Sequence, residues 1–126
     1  MTIDKLELFN KHQYINLETF RKSGIGVKTP VWFVRDGDAL YVRTVKSSGK
    51  VKRVRNSGRL RVAPCDMRGG LLGEWQEADA GLVREAGLEK KINQMVTKKY
   101  GVMKWMFDFA SLMQRRAYDT IEIRVR

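Results

Sequence analysis

Lysine and arginine crowd into one stretch, Arg43 to Arg61 (RTVKSSGKVKRVRNSGRLR), which holds eight positive charges and no negative one. No acid occurs between Asp38 and Asp66, and of a net charge of +11 only +3 is left for the rest of the chain. A charge concentrated in this way implies a local anion. Within the stretch, Ser47-Ser48-Gly49 separates a strand-like run, Leu40 to Thr44, from a short helical pattern with Val51 and Val54 on one side. Serine and glycine at such a bend can cap a helix whose unpaired N–H groups and positive dipole end attract phosphate. Lys50, Lys52 and Arg53 would add full charges in the first turn. The combination reads as a phosphate cradle, without the glycine spacing of a P-loop or a dinucleotide fingerprint. A solvated basic helix face is the competing reading.

Other reactive chemistry is sparse, and no catalytic side chain or metal ligand set stands out. Paired carboxylates for acid–base work could come only from Glu74, Glu77 and Asp79, which are close in sequence but look like solvated surface. His12, the single histidine, lies in an exposed-looking N-terminal segment. Cys65, the single cysteine, follows Pro64 on a strand and reads as a small buried residue. One cysteine and one histidine exclude an internal disulfide and a Cys/His zinc site. An enzyme of this composition would leave the chemistry to a cofactor.

These residues must be positioned by a chain of 126 residues, 43% of them hydrophobic, enough to bury the core of one domain spanning 1–126. The cysteine usage suits a reducing cytoplasm. The N-terminus carries Asp4, Lys5 and Glu7 where a signal peptide needs an apolar run, and nothing approaches the roughly 20 apolar residues of a membrane span. A sequence pI near 10.1 fits nucleic acid, a membrane surface or a multiply phosphorylated small ligand.

Patterning predicts an amphipathic helix over Ile3–Lys11 with Ile3, Leu6 and Phe9 on one face. Tyr14–Phe20 alternates as a half-buried strand, with Ile15 and Leu17 against Asn16 and Glu18. Lys28–Arg35 (KTPVWFVR) reads as one strand covered on both faces, turning at Asp36-Gly37-Asp38 into Ala39–Thr44. Pro30 cannot donate to a ladder, which places the backbone there at an edge or bulge. Arg59–Cys65 and Leu72–Ala80 are further strands, the second anchored by Trp75. A helix is expected over Leu88–Tyr100, stopped by Gly101. Val102–Met113 has almost no polar face and would be core, a subunit interface or a pocket wall. Ala117–Val125 alternates as a closing strand. About six antiparallel strands, a short helix between the third and fourth, and late helices suggest a small Greek-key barrel of the mainly-β or α+β class.

The series TPVWFVRDGDALYVRT, then SSGKVKRVRNSGRLRVAPCDMRG, then KKYG resembles the flavin and deazaflavin oxidoreductases of the split β-barrel group, related to pyridoxamine 5'-phosphate oxidase. Within that FMN-binding-like group it is most similar to the small branch described as dependent on coenzyme F420. The likeness runs from Tyr14 to the terminal strand. It implies a six-stranded antiparallel split barrel that forms a homodimer with cofactor sites between subunits. The cofactor phosphate would fall on Ser47, Ser48, Gly49, Lys50 and Lys52. The tricyclic ring would lie on Thr29, Pro30, Val31 and Trp32, with Arg43 and Thr44 beside it. A bound deazaflavin would exchange hydride with a small organic acceptor. Its acidic oligoglutamate tail would use more of the surplus cations than FMN.

Two other readings remain open at this stage. A non-catalytic flavin carrier would have the same sequence features, because the reactive atom is not on the polypeptide. A single-stranded nucleic-acid-binding barrel would track phosphates along Lys46–Arg61 and stack bases on Trp32, Tyr41 or Trp75.

Overall fold

The computed structural model describes residues 4–101, 103 and 117–126. Among these residues seven strands form one antiparallel sheet: β1 (Tyr14–Phe20), β2 (Gly26–Val31), β3 (Val34–Asp36), β4 (Ala39–Val45), β5 (Arg59–Cys65), β6 (Gln76–Leu82) and β7 (Tyr118–Val125). Their spatial order is β2-β1-β5-β6-β7-β4-β3. The two edge strands, β2 and β3, are separated in sequence only by Trp32 and Phe33. At about 3.3–3.6 Å per residue, that link holds the two edges within roughly 10 Å, so the sheet must curl into a barrel.

The expected single strand over Lys28–Arg35 is therefore two, and the expected six strands are seven. The cause is visible at Phe33. Its N–H donates to the Tyr100 hydroxyl at 3.0 Å, and its carbonyl accepts from Lys99 Nζ at 2.9 Å. The same hydroxyl lies 2.7 Å from the Gln13 carbonyl and 2.9 Å from that of Phe33. With Lys99 serving the Phe33 carbonyl, the one hydroxyl proton is free for Gln13. Side chains thus take the backbone bonds that a continuous ladder would use.

Ile15, Leu17, Leu60, Val62, Ile121 and Ile123 fill the barrel with the periodicity of two read from the sequence, joined by Leu40, Val42 and Phe33. Helix α1 (Gly49–Asn56) buries Val51 and Val54, the second against this core. Helix α2 (Ala86–Tyr100) packs Ile92, Val96 and Tyr100 onto Val34, Ala39 and Tyr41, forming a second apolar layer.

Three further expectations are corrected. The predicted helix over Ile3–Lys11 is, in its described part, a single 3-10 turn at Glu7–Phe9 that still buries Leu6 and Phe9. The Asp4 carboxylate there is drawn to Arg35, at 2.8 and 2.9 Å. Strand β1 is buried on both faces, not one. Asn16 Nδ2 donates to the Gly69 carbonyl at 3.1 Å, and Arg61 Nε reaches Glu18 at 2.6 Å. Arg61 and Lys28 in turn lie 4.8 and 5.5 Å from the Trp75 ring centroid, so the loop before β6 covers the polar face. That loop also delays β6 until Gln76. Asp66 Oδ1 accepts from the N–H groups of Arg68 and Gly70, both at 2.8 Å, and Gly69 takes φ +89°. The expectation for Val102–Met113 lies, apart from exposed Met103, outside the described residues.

Removing the Tyr100 hydroxyl leaves the Phe33 N–H and the Gln13 carbonyl without this partner in a buried site. Tyr100→Phe is expected to lower unfolding free energy by about 1–3 kcal/mol in urea titration. An unchanged midpoint would show that the strand break does not depend on this hydroxyl.

Candidate functional site

A cleft of about 270 Å³ lies where β2, the start of β7, α2 and the β4–α1 junction meet. Pro30, Val31, Trp32 and Val96 give it apolar walls; Thr29, Arg43, Thr44, Lys50, Asn93 and Tyr118 give it polar groups. Its volume lies just below the range of about 300–1,000 Å³ usual for small-molecule sites.

Each wall follows from local structure. Strand β2 is an edge of the sheet, bonded to β1 on one side only, and Pro30 sits opposite Asn16 in that pairing. Trp32, just past the last ladder residue, stacks on Tyr100 with ring centroids 4.3 Å apart and planes 9° from parallel. The stacking fixes the indole at the cleft wall, since the same Tyr100 is anchored through Phe33 and Gln13. Ser48 is the N-cap of α1, as its sequence setting implied, and its hydroxyl accepts from the Val51 N–H at 3.4 Å. The Thr44 and Ser48 hydroxyls are also 3.4 Å apart, tying the end of β4 to the helix start. The N–H groups of the first helical turn beyond that cap have no carbonyl within the helix to bond.

The electrostatics are one-sided. Among the described residues, Lys50 and Arg43 have no carboxylate partner; Arg43 instead lies 5.7 Å from the Tyr118 ring centroid. Burial, followed by repulsion from Arg53, holds the Lys50 amine below its ordinary value. Arg53 is likewise pushed down by its own burial and then by Arg21. Like charges that depress one another with no counterion form a site complementary to an anion.

Of the residues singled out in the sequence, Thr29, Pro30, Val31, Trp32, Arg43, Thr44 and Lys50 come together in this cleft. Ser47, Gly49 and Lys52 are exposed, and neither they nor Ser48 line it. Helical geometry explains Lys52: two residues along a helix point about 200° apart, whereas Arg53, three residues on, shares the Lys50 face. Asn93, Val96 and Tyr118 were missed. Asn93 looks like surface on a helix until its spacing of three from buried Val96 is noticed, and Tyr118 looks like ordinary packing at a strand start. Two of the three aromatic residues that a base-stacking platform would use are occupied: Tyr41 is buried and Trp75 carries Arg61 and Lys28, while Trp32 stacks one face on Tyr100 and lines the cleft. No cluster of three or more metal-ligating side chains exists among the described residues, and none of their helices is long and apolar enough to cross a membrane.

No family model matches the sequence and no curated protein matches it significantly. Solved structures do match in shape. The haem storage protein HutZ of Vibrio cholerae superimposes with a TM-score of 0.73 at 12% identity, over 99% of this chain and 92% of that one. A candidate pyridoxamine 5'-phosphate oxidase from Listeria innocua gives 0.70 at 17% identity, over 96% and 90%. This chain has their split-barrel fold. A third split barrel, described as an F420 reductase, gives 0.62 at 12% identity, over 100% of this chain and 96% of that one. Since a haem storage protein and a reductase share the architecture, the fold alone does not choose the chemistry of this split barrel.

An unpaired, half-buried cation should be neutral or costly to the empty protein and useful only with an anion bound. Lys50→Met is therefore expected to leave the thermal midpoint unchanged or raised in a buffer without polyvalent anions, and to reduce the stabilisation that added inorganic phosphate gives the wild type. A lowered midpoint with phosphate stabilisation intact would mean that Lys50 has a structural partner instead.

Proposed function

We propose that this split barrel is a flavin-type cofactor-binding oxidoreductase that uses a deazaflavin, coenzyme F420, to pass hydride to or from a small organic acceptor. The observation that carries this reading is the pair of cations, Arg43 and Lys50, lining an apolar cleft with no carboxylate partner among the described residues. A tricyclic ring with a phosphorylated side chain has that complementarity. Its flat face would lie against Pro30, Val31 and Trp32, and its phosphate would meet Lys50 and the capped start of α1. When bound, the deazaflavin supplies a two-electron hydride carrier; the chain's own residues bind and orient it and shield one face. Asn93, from α2, offers an amide donor and acceptor in the same cleft.

The distribution of charge beyond the cleft favours the deazaflavin over FMN. Repulsion links Lys50 to Arg53 and Arg53 to Arg21. Arg21 also lines a second depression of about 530 Å³ with Lys22 and Arg59, at the far end of α1. A ligand with one phosphate engages the first of these groups, and one with an acidic tail engages the series. We place the site in a homodimer, in which a second copy would complete the shallow cleft.

Titrating F420 and FMN side by side tests the assignment. We expect F420 to bind more tightly, and Lys50→Ala to weaken either ligand by about 1–3 kcal/mol, roughly fivefold to 150-fold. Replacing Arg21 and Lys22 together by alanine should weaken F420 but not F420 stripped of its glutamates. Failure of both cofactors to bind would overturn the reading, and tighter FMN binding unaffected by the double replacement would move it to the flavin. Sizing in solution should give a dimer.

A further inference from the structure

Strand β1 carries a hydroxyl where the barrel core would take an apolar side chain. Thr19 follows Ile15 and Leu17 on the face that these turn to the core, and it is buried as completely as they are. A hydroxyl so placed is costly without a partner. Its oxygen accepts from Arg53 Nε at 2.6 Å, so an arginine of α1 reaches down to β1. Arg53 is held on a second side by an absence. A helical side chain leans back over the preceding turn, which here brings Arg53 over Gly49, the first residue of α1. A Cβ at position 49 would stand 2.6 Å from Arg53 Nη1 and 3.3 Å from its Cζ, so the guanidinium fills the space that a side chain would take.

Only Nε is used. The N–H groups on Nη1 and Nη2 have no acceptor among the described residues. The acids of the strands beneath α1 are taken: Glu18, next to Thr19 but on the other face of β1, pairs with Arg61, and Asp119 pairs with Arg55 at 3.7 Å. The charged groups that act on Arg53 or that it acts on are Lys50, in the cleft, and Arg21, in the depression at the far end of α1. A planar fork of donors therefore stands between two cations, fixed at its Nε edge and free at its terminal amines.

We propose that Thr19 is a positioning residue that, together with the gap over Gly49, aims the Arg53 fork at a second anionic group of the ligand, beside the one that Lys50 receives. Two anionic groups on one short bridge engage Lys50 and the fork together, whereas a lone phosphate engages one of them. The pair Thr19 and Gly49 thus selects for such a ligand by geometry, since neither residue carries charge. This deepens the cofactor reading, on which it rests for the identity of the ligand: the fork would take the first carboxylate beyond the deazaflavin phosphate, a group that FMN lacks.

Calorimetric titration of the full-length chain with inorganic pyrophosphate and with orthophosphate, at equal ionic strength and about pH 7.5, tests this without a cofactor. The wild type should prefer pyrophosphate by about tenfold or more. Thr19→Val keeps the shape and every charge but removes the acceptor. It should cut the preference to about threefold or less by weakening pyrophosphate, and Thr19→Ser, which keeps the hydroxyl, should retain it. Gly49→Ala puts a better helix former into the gap, so it should keep or raise the thermal midpoint and still cut the preference. In an Arg53→Ala background, Thr19→Val should change pyrophosphate affinity no further. A wild type that binds neither anion, or shows no preference, would overturn the proposal. A preference that survives Thr19→Val would reduce Thr19 to an anchor of α1 on β1, and one that survives Gly49→Ala would remove the gap from the site. Failure of F420 and FMN to bind, with the pyrophosphate preference and its dependence on Thr19 intact, would sink the cofactor reading and leave the two-anion site standing.

Discussion

One phenolic hydroxyl organises this molecule. By accepting from the Phe33 N–H and approaching the Gln13 carbonyl, Tyr100 joins the end of α2 to the point where β2 gives way to β3. That break lets one continuous stretch of chain serve both edges of the sheet, and the short link between them forces closure. The same ring is the surface on which Trp32 stacks, so barrel closure and the shape of the cleft wall share a cause. A buried hydroxyl with several backbone partners is costly to remove and leaves little freedom nearby. The cleft is rigid where it would meet a flat ring.

The second constraint is charge left unbalanced. Elsewhere several described cations find acids: Arg35 with Asp4, Arg61 with Glu18, Arg126 with Asp79, Lys91 with Asp36. On α1, Arg55 reaches Asp119 at 3.7 Å, but Lys50 and Arg53 have no acid among the described residues, and repulsion links Lys50 to Arg53 and Arg53 to Arg21. A fold tolerates such repulsion at modest cost on a solvated surface. Repulsion running into an apolar cleft would be compensated by a bound anion, which is why the proposed site joins the basic stretch to the cleft.

Much of this was legible in the sequence. Alternating apolar residues located β1, β5 and β7 because side chains on one face of a strand recur with a period of two and the face turned to the barrel core is apolar. The Ser48 cap and the Lys50 charge were readable because capping and charge are local properties. What escaped notice depended on distant partners. The break at Phe33 is imposed by Tyr100, 67 residues away. The burial of Asn16 and Glu18 is imposed by Gly69 and Arg61. Asn93 and Tyr118 reach the cleft only because α2 and β7 close around it. Lys52 looked equivalent to Lys50 in sequence, and only the helical twist separates them.

The most direct measurement is a crystal structure of the protein with F420 bound. The account predicts the ring against Pro30, Val31 and Trp32, the phosphate within hydrogen-bond reach of Lys50 and the start of α1, and the glutamates running toward Arg53 and Arg21. A ring seated elsewhere, or a phosphate that leaves Lys50 unengaged, would contradict it.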